Sequence, residues 1–310
     1  MTTREIRRMI TNCYYCSKSI EEKDIKKHGL HERCFEKWFG IKSAKDFENL
    51  ALKQASQDIL HSDINKMNTS FFHGAFKKYS AEIEGEQYIL KVSQSEYPEL
   101  PKVEWISNKI AHALGLNIPE FYLIDLQNVQ STFVTKNFMT KRPGANLIHI
   151  YHYIEKGEDY SCKTLLRIIN EKCGRLADTK EFIFMCLYDA LIGNHDRHGR
   201  NIGLVQSGPS NFTLSPTYDN PSYIGIEAAY LLSADLNPKG KIATTKTNEP
   251  TLSDYIEEFN IFEYGEITED FIKKVKVKWE DVNLIIKTSD LSKPRKDAMN
   301  NILNKRYKEI

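Results

Sequence analysis

Leu187-Tyr-Asp-Ala-Leu-Ile-Gly-Asn-His-Asp-Arg-His-Gly-Arg-Asn201 is an apolar helical run that halts at a glycine and breaks into a crowded polar loop. Gly193 is a helix-stop residue. It does not account for Asn194, His195, Asp196, Arg197, His198, Arg200 and Asn201, all packed between two hydrophobic segments. Ile202 to Val205 and Phe212 to Leu214 follow, strand-like runs around the turn-rich Gln206 to Asn211. A hairpin there carries the chain out and back, so that Asp219 returns to the neighbourhood of Asn201.

Asp196 and Asn201 stand at the Asp-x4-Asn spacing of a phosphoryl-transfer loop, in which Asp orients the acceptor hydroxyl and takes its proton while Asn ligates Mg²⁺. Asp219 supplies a second hard oxygen ligand from the far side of the hairpin, which suits a Mg²⁺ carrying ATP phosphates. Taken singly, these are ordinary turn and capping residues. Their order and the connecting hairpin favour the catalytic reading. His198 stands where many protein kinases place a catalytic-loop lysine, either to meet the γ-phosphate or to brace the loop.

Upstream, Lys78 to Ile83 and Gln87 to Val92 read as strands about Glu84-Gly85-Glu86, and Lys102 to Leu114 as a helix with apolar positions Val103, Ile106, Ile110 and Leu114. Lys91 sits on an otherwise apolar strand, where an ammonium needs an anionic partner, and Glu104 at the head of the helix offers one. A strand Lys paired to a helix Glu holds the α- and β-phosphates in kinases. Ser70 to Lys78, with the single glycine Gly74, precedes the hairpin as a phosphate-covering turn would. Phe121 to Leu126 and Thr132 to Met139 are further strands. The second leads by order alone to an interlobe hinge, where backbone groups of Lys136 and Phe138 are the candidates for adenine. Helical patterning then dominates: Lys163 to Cys173, Thr179 to Ile192, Thr251 to Phe259, Thr268 to Val275 and Ser292 to Tyr307.

The expected architecture is α+β and bilobal, protein-kinase-like, with a small β-rich N-lobe and a larger helical C-lobe. Its units are a Cys/His module over 1–45, the N-lobe with phosphate loop, hairpin and helix over 46–140, and the helical C-lobe with catalytic loop and metal-binding Asp over 141–310. The module's Cys13-x2-Cys16 and His31-x2-Cys34 have the pair spacing of a structural zinc site, against the alternative of buried free thiols. Cys162, Cys173 and Cys186, with Tyr151 and His152, read as packing residues.

Leu191-Ile-Gly-Asn-His-Asp-Arg-His-Gly-Arg-Asn-Ile-Gly-Leu204 and Leu214-Ser-Pro-Thr-Tyr-Asp-Asn-Pro-Ser-Tyr223 resemble the catalytic and metal-binding motifs of HipA-family toxin kinases. Ile89-Leu-Lys-Val92 and Ala111-His-Ala-Leu-Gly-Leu-Asn-Ile-Pro119 resemble that family's phosphate-lysine strand and following helix. The resemblance spans about residues 65–310 and implies serine/threonine protein kinase activity with ATP and Mg²⁺ in a toxin-antitoxin setting, acting on a translation component such as an aminoacyl-tRNA synthetase. Only the Cys/His module and a short helical stretch precede the phosphate loop, so the chain is similar to the short, HipT-like form. That form implies a HipBST-like complex with a HipS-like small antitoxin and a HipB-like DNA-binding protein, DNA being met only indirectly. Family members autophosphorylate a phosphate-loop serine; here Phe71-Phe72-His73 precedes Gly74, leaving Ser70 and then Thr69 as the nearest hydroxyls.

Composition is consistent with this. Among 310 residues, 41% are hydrophobic, enough for two lobes around a cleft. Lys plus Arg number 43 against 42 Asp plus Glu, which argues against a nucleic-acid-coating protein. No apolar run of spanning length and no secretory segment is evident, so the expected compartment is the cytoplasm, with export into a host as an alternative. Two rivals stand beside the protein-kinase reading: a phosphoinositide-type lipid kinase, whose loop has the form Asp196-Arg-His-x-x-Asn201, and a pseudokinase binding module.

Overall fold

A computed structural model describes residues 12–21, 24–42, 45–52 and 77–310. Gly74, Ser70 and Thr69 lie outside the described residues.

Strands β1 (Lys26–Lys27) and β2 (Leu30–His31) form a small ribbon that feeds helix α1 (Glu32–Phe39). A five-stranded antiparallel sheet follows, built from β3 (Glu48–Leu52), β4 (Lys77–Ile83), β5 (Glu86–Val92), β6 (Phe121–Leu126) and β7 (Gln130–Lys136). Its order is β3-β4-β5-β7-β6. The hairpin turn at Glu84-Gly85 places both residues at positive φ, which a tight connection between twisted strands requires. Alternate residues of β5 point into the core: Tyr88, Leu90 and Val92 are buried against Phe35, Phe39, Tyr122 and Val134. The aromatic run at the end of the Cys/His module thus covers one face of this sheet, with Phe39 stacked on Tyr122 at 4.2 Å between ring centroids.

Helix α2 (Leu100–Ala113) crosses from the sheet to the other half of the molecule. Its apolar stripe, Val103, Ile106, Ile110 and Leu114, joins the large core formed by the remaining helices. These are α3 (Cys162–Cys173), α4 (Leu176–Ile192), α5 (Leu252–Ile261), α6 (Gly265–Lys287) and α7 (Lys293–Tyr307). α4 is its axis: almost every residue from Phe182 to Ile192 is buried, including one carboxylate, Asp189.

Three features differ from expectation. The helix read over Thr268 to Val275 runs on to Lys287, because Val282 and Ile286 continue the stripe begun by Thr268, Phe271 and Val275 after a polar turn. The strand read to Met139 ends at Lys136, where Asn137 turns back to bond Gln87 through its N–H at 2.8 Å. The hairpin of β9 (Gly203–Gln206) and β10 (Phe212–Leu214) gains a third strand, β8 (Asn146–His149), which the short polar Asn146-Leu-Ile-His149 did not announce. Gly203 is required there, since a Cβ would stand 2.5 Å from Leu147 Cδ1.

Candidate active site

α4 ends at Gly193 in the left-handed conformation (φ 71°), its N–H bonded to the Asp189 carbonyl. The loop beyond it is held by its own amides. Asn194 Oδ1 accepts the Asp196 N–H at 3.1 Å, and the Asp196 carbonyl accepts from His198 N–H at 2.8 Å and Asn201 Nδ2 at 3.1 Å. Asp196 and Asn201 are both largely buried. Asn201 turns its amide nitrogen inward, so the amide oxygen is the end that can face a metal. The β9/β10 register pairs Leu204 with Leu214, and Ser215 N–H bonds the Gly203 carbonyl at 2.8 Å. The hairpin read from sequence therefore returns the chain as expected.

Arg197 makes that return rigid. It is 1% exposed and forks onto Asp189, Nε to Oδ2 at 2.7 Å and Nη2 to Oδ1 at 2.9 Å. The same guanidinium donates to the Asn201 carbonyl at 3.2 Å, the Tyr218 carbonyl at 2.5 Å and Asn220 Oδ1 at 2.6 Å. One side chain thus ties the loop that ends at Asn201 to both neighbours of Asp219. Burial alone would lower the guanidinium's proton affinity, but Asp189 more than offsets this and keeps it charged. Asp219 itself sits at φ 53°, a left-handed conformation that Asp tolerates better than most residues.

From the sheet, Lys91 Nζ donates to Glu104 Oε1 at 2.5 Å and also to Asp219 Oδ1. Lys78, paired opposite Lys91 on β4, reaches Asp219 Oδ2 at 3.4 Å. Like charges facing each other across strands repel, so the two cations are held by the carboxylates between them. Burial pushes the Asp219 carboxyl up, yet the Lys78 and Lys91 ammoniums, with Arg197 behind them, hold it well below the usual carboxylate range. Asp219 and Glu104 in turn raise Lys91 despite its burial. Glu104 Oε2, fully buried, has no hydrogen-bond partner among the described residues. Such a cluster of two ammoniums and two carboxylates suits a polyanionic ligand with its divalent cation, which can exchange partners with them.

α2, which carries Glu104, is pinned to the helical half at several points. Glu99 accepts from Ser292 N–H at 2.7 Å and from Arg295 Nε at 2.9 Å. Tyr188 Oη donates to the Ser107 carbonyl. Asn220 Nδ2 donates to Asn108 Oδ1 at 3.1 Å, and Asn108 Nδ2 to the Glu104 carbonyl at 2.8 Å. A buried polar chain therefore runs from Asp189 through Arg197, Asn220 and Asn108 to the backbone of Glu104.

Sequence reasoning missed Asp189, Arg197, Asn220 and Lys78 as parts of this assembly. A lone carboxylate in the apolar run Phe182 to Ile192 was the available signal, because a charge buried there demands a cation. Of the expected adenine contacts, Lys136 stands at the end of β7. Its N–H is spent on the Glu120 carbonyl at 2.9 Å and its ammonium on Glu86 at 3.3 Å. Phe138 faces Tyr218 at 6.0 Å between centroids, beside the site. His198 Nδ1 accepts the Arg200 N–H at 3.2 Å, a bond that braces the loop. Cys13, Cys16, His31 and Cys34 come together, with their ligand atoms all within 4.8 Å of one another.

The model of the HipA-like C-terminal domain matches residues 70–288. Among solved structures, the Helicobacter pylori proinflammatory kinase CtkA superposes with a TM-score of 0.61 at 19% identity, covering 75% of this chain and 90% of that one. HipA of Shewanella oneidensis, solved in complex with HipB and operator DNA, gives a TM-score of 0.52 at 14% identity over 83% of this chain and 67% of its own. These likenesses are of fold, and the fold is protein-kinase-like. Among sequences, Y4dM of Sinorhizobium fredii, which carries a provisional kinase name, is 27% identical over 158 residues, 45% of this chain and 38% of the relative's length. A Haemophilus influenzae protein with a similarly provisional kinase name is 28% identical over 250 residues, 71% of this chain and 73% of its own. With most of its length matched by that one model, the chain belongs to the HipA-like C-terminal domain family.

Proposed function

We propose that this protein is an ATP-dependent protein kinase that transfers a phosphoryl group to serine or threonine. The observation that carries the proposal is that Lys91 from the sheet and Glu104 from α2 meet Asp219, whose loop Arg197 ties to the one that holds Asp196 and Asn201. Asp219 and the amide oxygen of Asn201 form an all-oxygen donor set that suits Mg²⁺, which when bound neutralises phosphate charge. Lys91 positions the α- and β-phosphates, with Glu104 orienting its ammonium. Asp196 accepts the proton of the acceptor hydroxyl as its oxygen bonds to the γ-phosphorus; the bond from that phosphorus to the bridging oxygen breaks and ADP leaves. His198 braces the loop beside the γ-phosphate. Phe138 and the Lys136 carbonyl border the adenine.

The finer role is a toxin of a HipBST-like system, with a HipS-like small antitoxin and a HipB-like DNA-binding protein as partners and a translation component as substrate. Its support is family membership and the fold shared with a HipA that was solved bound to HipB. Among the described residues no helix is long and apolar enough to cross a membrane.

The test is transfer from radiolabelled ATP to a protein extract and, in parallel, to phosphoinositide vesicles. Wild type labels protein on serine or threonine. Asp196→Asn lowers this by about 10²–10⁴-fold, the usual contribution of a positioned base. Label in lipid alone overturns the acceptor assignment; equal labelling by wild type and Asp196→Asn overturns the catalytic one.

A further inference from the structure

The structure assigns a closed structural zinc site to Cys13, Cys16, His31 and Cys34, with His31 binding through Nδ1. Tetrahedral Zn²⁺ with sulfur at ~2.3 Å and nitrogen at ~2.0–2.1 Å sets an S···N edge of roughly 3.6 Å and an S···S edge of roughly 3.8 Å. His31 Nδ1 stands 3.5 Å from Cys16 Sγ and 3.8 Å from Cys34 Sγ, and the whole set of ligand atoms falls within 4.8 Å. The two Nδ1···Sγ distances match the S···N edge of such a tetrahedron.

An independent observation is on the other side of the imidazole. His31 Nε2 lies 3.2 Å from the Ser19 carbonyl and 3.4 Å from Asp24 Oδ2, acceptors that hold its proton on Nε2 and leave the Nδ1 lone pair facing the thiols. A carbonyl or carboxylate behind a ligating histidine is the usual outer partner of a metal site. The first pair also sits in a metal-knuckle turn: Ser17 N–H bonds the Cys13 carbonyl at 2.8 Å, Cys13 N–H bonds the Lys18 carbonyl at 2.9 Å, and Ser17 adopts φ 60° to close it. Three thiolates and one imidazole complete a tetrahedron with no open position, so the ion is structural rather than catalytic.

The module has need of it. Among the described residues its regular structure is two 2-residue strands and one 8-residue helix, the scale at which small domains rely on a staple. Yet it is joined to the sheet at defined points: Tyr14 Oη donates to Asp125 Oδ1 at 3.1 Å, Asp125 N–H to the His28 carbonyl at 2.8 Å, and Gln127 N–H to His28 Nδ1 at 3.0 Å. Tyr14 lies between the first two ligands, and Cys34 opens the turn of α1 that delivers Phe35 and Phe39 to the sheet core. The ion thus fixes the geometry with which the module covers the β6–β7 hairpin.

The test uses the full chain, purified without chelator, and elemental analysis with thiol titration. One zinc per chain is expected, with Cys13, Cys16 and Cys34 protected from a thiol reagent until chelator is added. Cobalt reconstitution should give ligand-field bands of a tetrahedral site, which shift on His31→Cys as a fourth thiolate replaces the imidazole. Asp24→Ala, a surface change that spares all four ligands, should weaken zinc about 10–100-fold in competition with a chromophoric chelator. No zinc with all three thiols freely reactive, iron in its place, or zinc that remains after Cys13→Ser/Cys34→Ser would each overturn the assignment. A failure of kinase activity leaves these readouts untouched, since none depends on phosphoryl transfer.

Discussion

Arg197→Met should separate what holds the site together from what performs the chemistry. The substitution keeps most of the side-chain length but deletes the fork on Asp189, whose carboxylate is 4% exposed and would retain only the Asn194 Nδ2 bond at 2.8 Å. Breaking one half of a buried ion pair costs about 3–5 kcal/mol, because the remaining charge is left uncompensated. At about 2 °C per kcal/mol, the scale for large domains, the melting temperature should fall by roughly 6–10 °C. The double variant Asp189→Leu/Arg197→Met removes the orphaned charge, and exchange of a buried pair for apolar groups is often neutral, so much of that loss should return. Activity should not return with it. The carbonyls of Asn201 and Tyr218 and the Asn220 amide lose their shared donor in both variants, and the catalytic loop and Asp219 lose their common anchor. Calorimetry and radiolabel transfer on the single and double variants measure the split. A single variant that melts within about 2 °C of wild type, or a double variant that regains both stability and transfer, would refute the reasoning.

Lys78→Met should raise the KM for ATP several-fold while leaving the fold intact, because Lys78 meets Asp219 from the cleft wall and is only partly buried; steady-state kinetics against ATP checks this, with an unchanged KM as the contrary result. Asp219→Asn should abolish transfer, and its stability should differ from wild type in a pH-dependent way. The folded-state pKa of Asp219 is depressed, so its ionised form stabilises the fold above the unfolded value of about 3.9 and this contribution is lost as pH falls from there toward the folded value. The gap between the two proteins in denaturant midpoint should therefore be constant near neutrality and narrow below about pH 4; a gap that widens on acidification would contradict the assignment. Asn108→Ala should lower kcat more than it raises KM for ATP, since it loosens the link from Asn220 to the backbone of Glu104 without touching the cleft.

The parts of this site legible in the sequence were those carried by local periodicity and spacing. Lys91 stood out on an apolar strand, Asp196 and Asn201 by their interval, and Asp219 by the hairpin that returns it. What escaped was long-range and polar. Nothing in the local pattern of Asn146-Leu-Ile-His149 marks a strand, because its pairing partner, Gly203 to Gln206, lies almost sixty residues on in the chain. Arg197 was visible as one charge among many in a loop, and its role depends on Asp189, eight positions earlier, facing the same side. Asn108 and Asn220 are separated by 112 residues, and an Asn in an amphipathic helix has no signature that distinguishes a buried relay from a solvated face.

Those long-range contacts bear on how the enzyme could be controlled. In a kinase-like fold the Lys–Glu pair can be opened by swinging the helix that carries the Glu. Here α2 is fastened near its start by Glu99 to Ser292 and Arg295, and at its middle by Ser107 to Tyr188 and Asn108 to Asn220. Gly225 also packs so closely that a Cβ there would stand 2.5 Å from Leu100 Cδ1. Moving the helix outward would break these polar contacts together, the two buried ones costing ~1–3 kcal/mol each when left unpaired. The ammonium of Lys91, by contrast, already touches Asp219 as well as Glu104. The four groups Lys78, Lys91, Glu104 and Asp219 carry balanced charge, so under the proposed function phosphates would take the ammoniums and Asp219 would turn to their cation. Ligand exchange at a preassembled site requires no helix movement. An engineered disulfide between α2 and the helical half should accordingly leave phosphoryl transfer within about twofold of wild type, whereas a mechanism based on helix swing predicts that the same cross-link alters the dependence of activity on partner proteins.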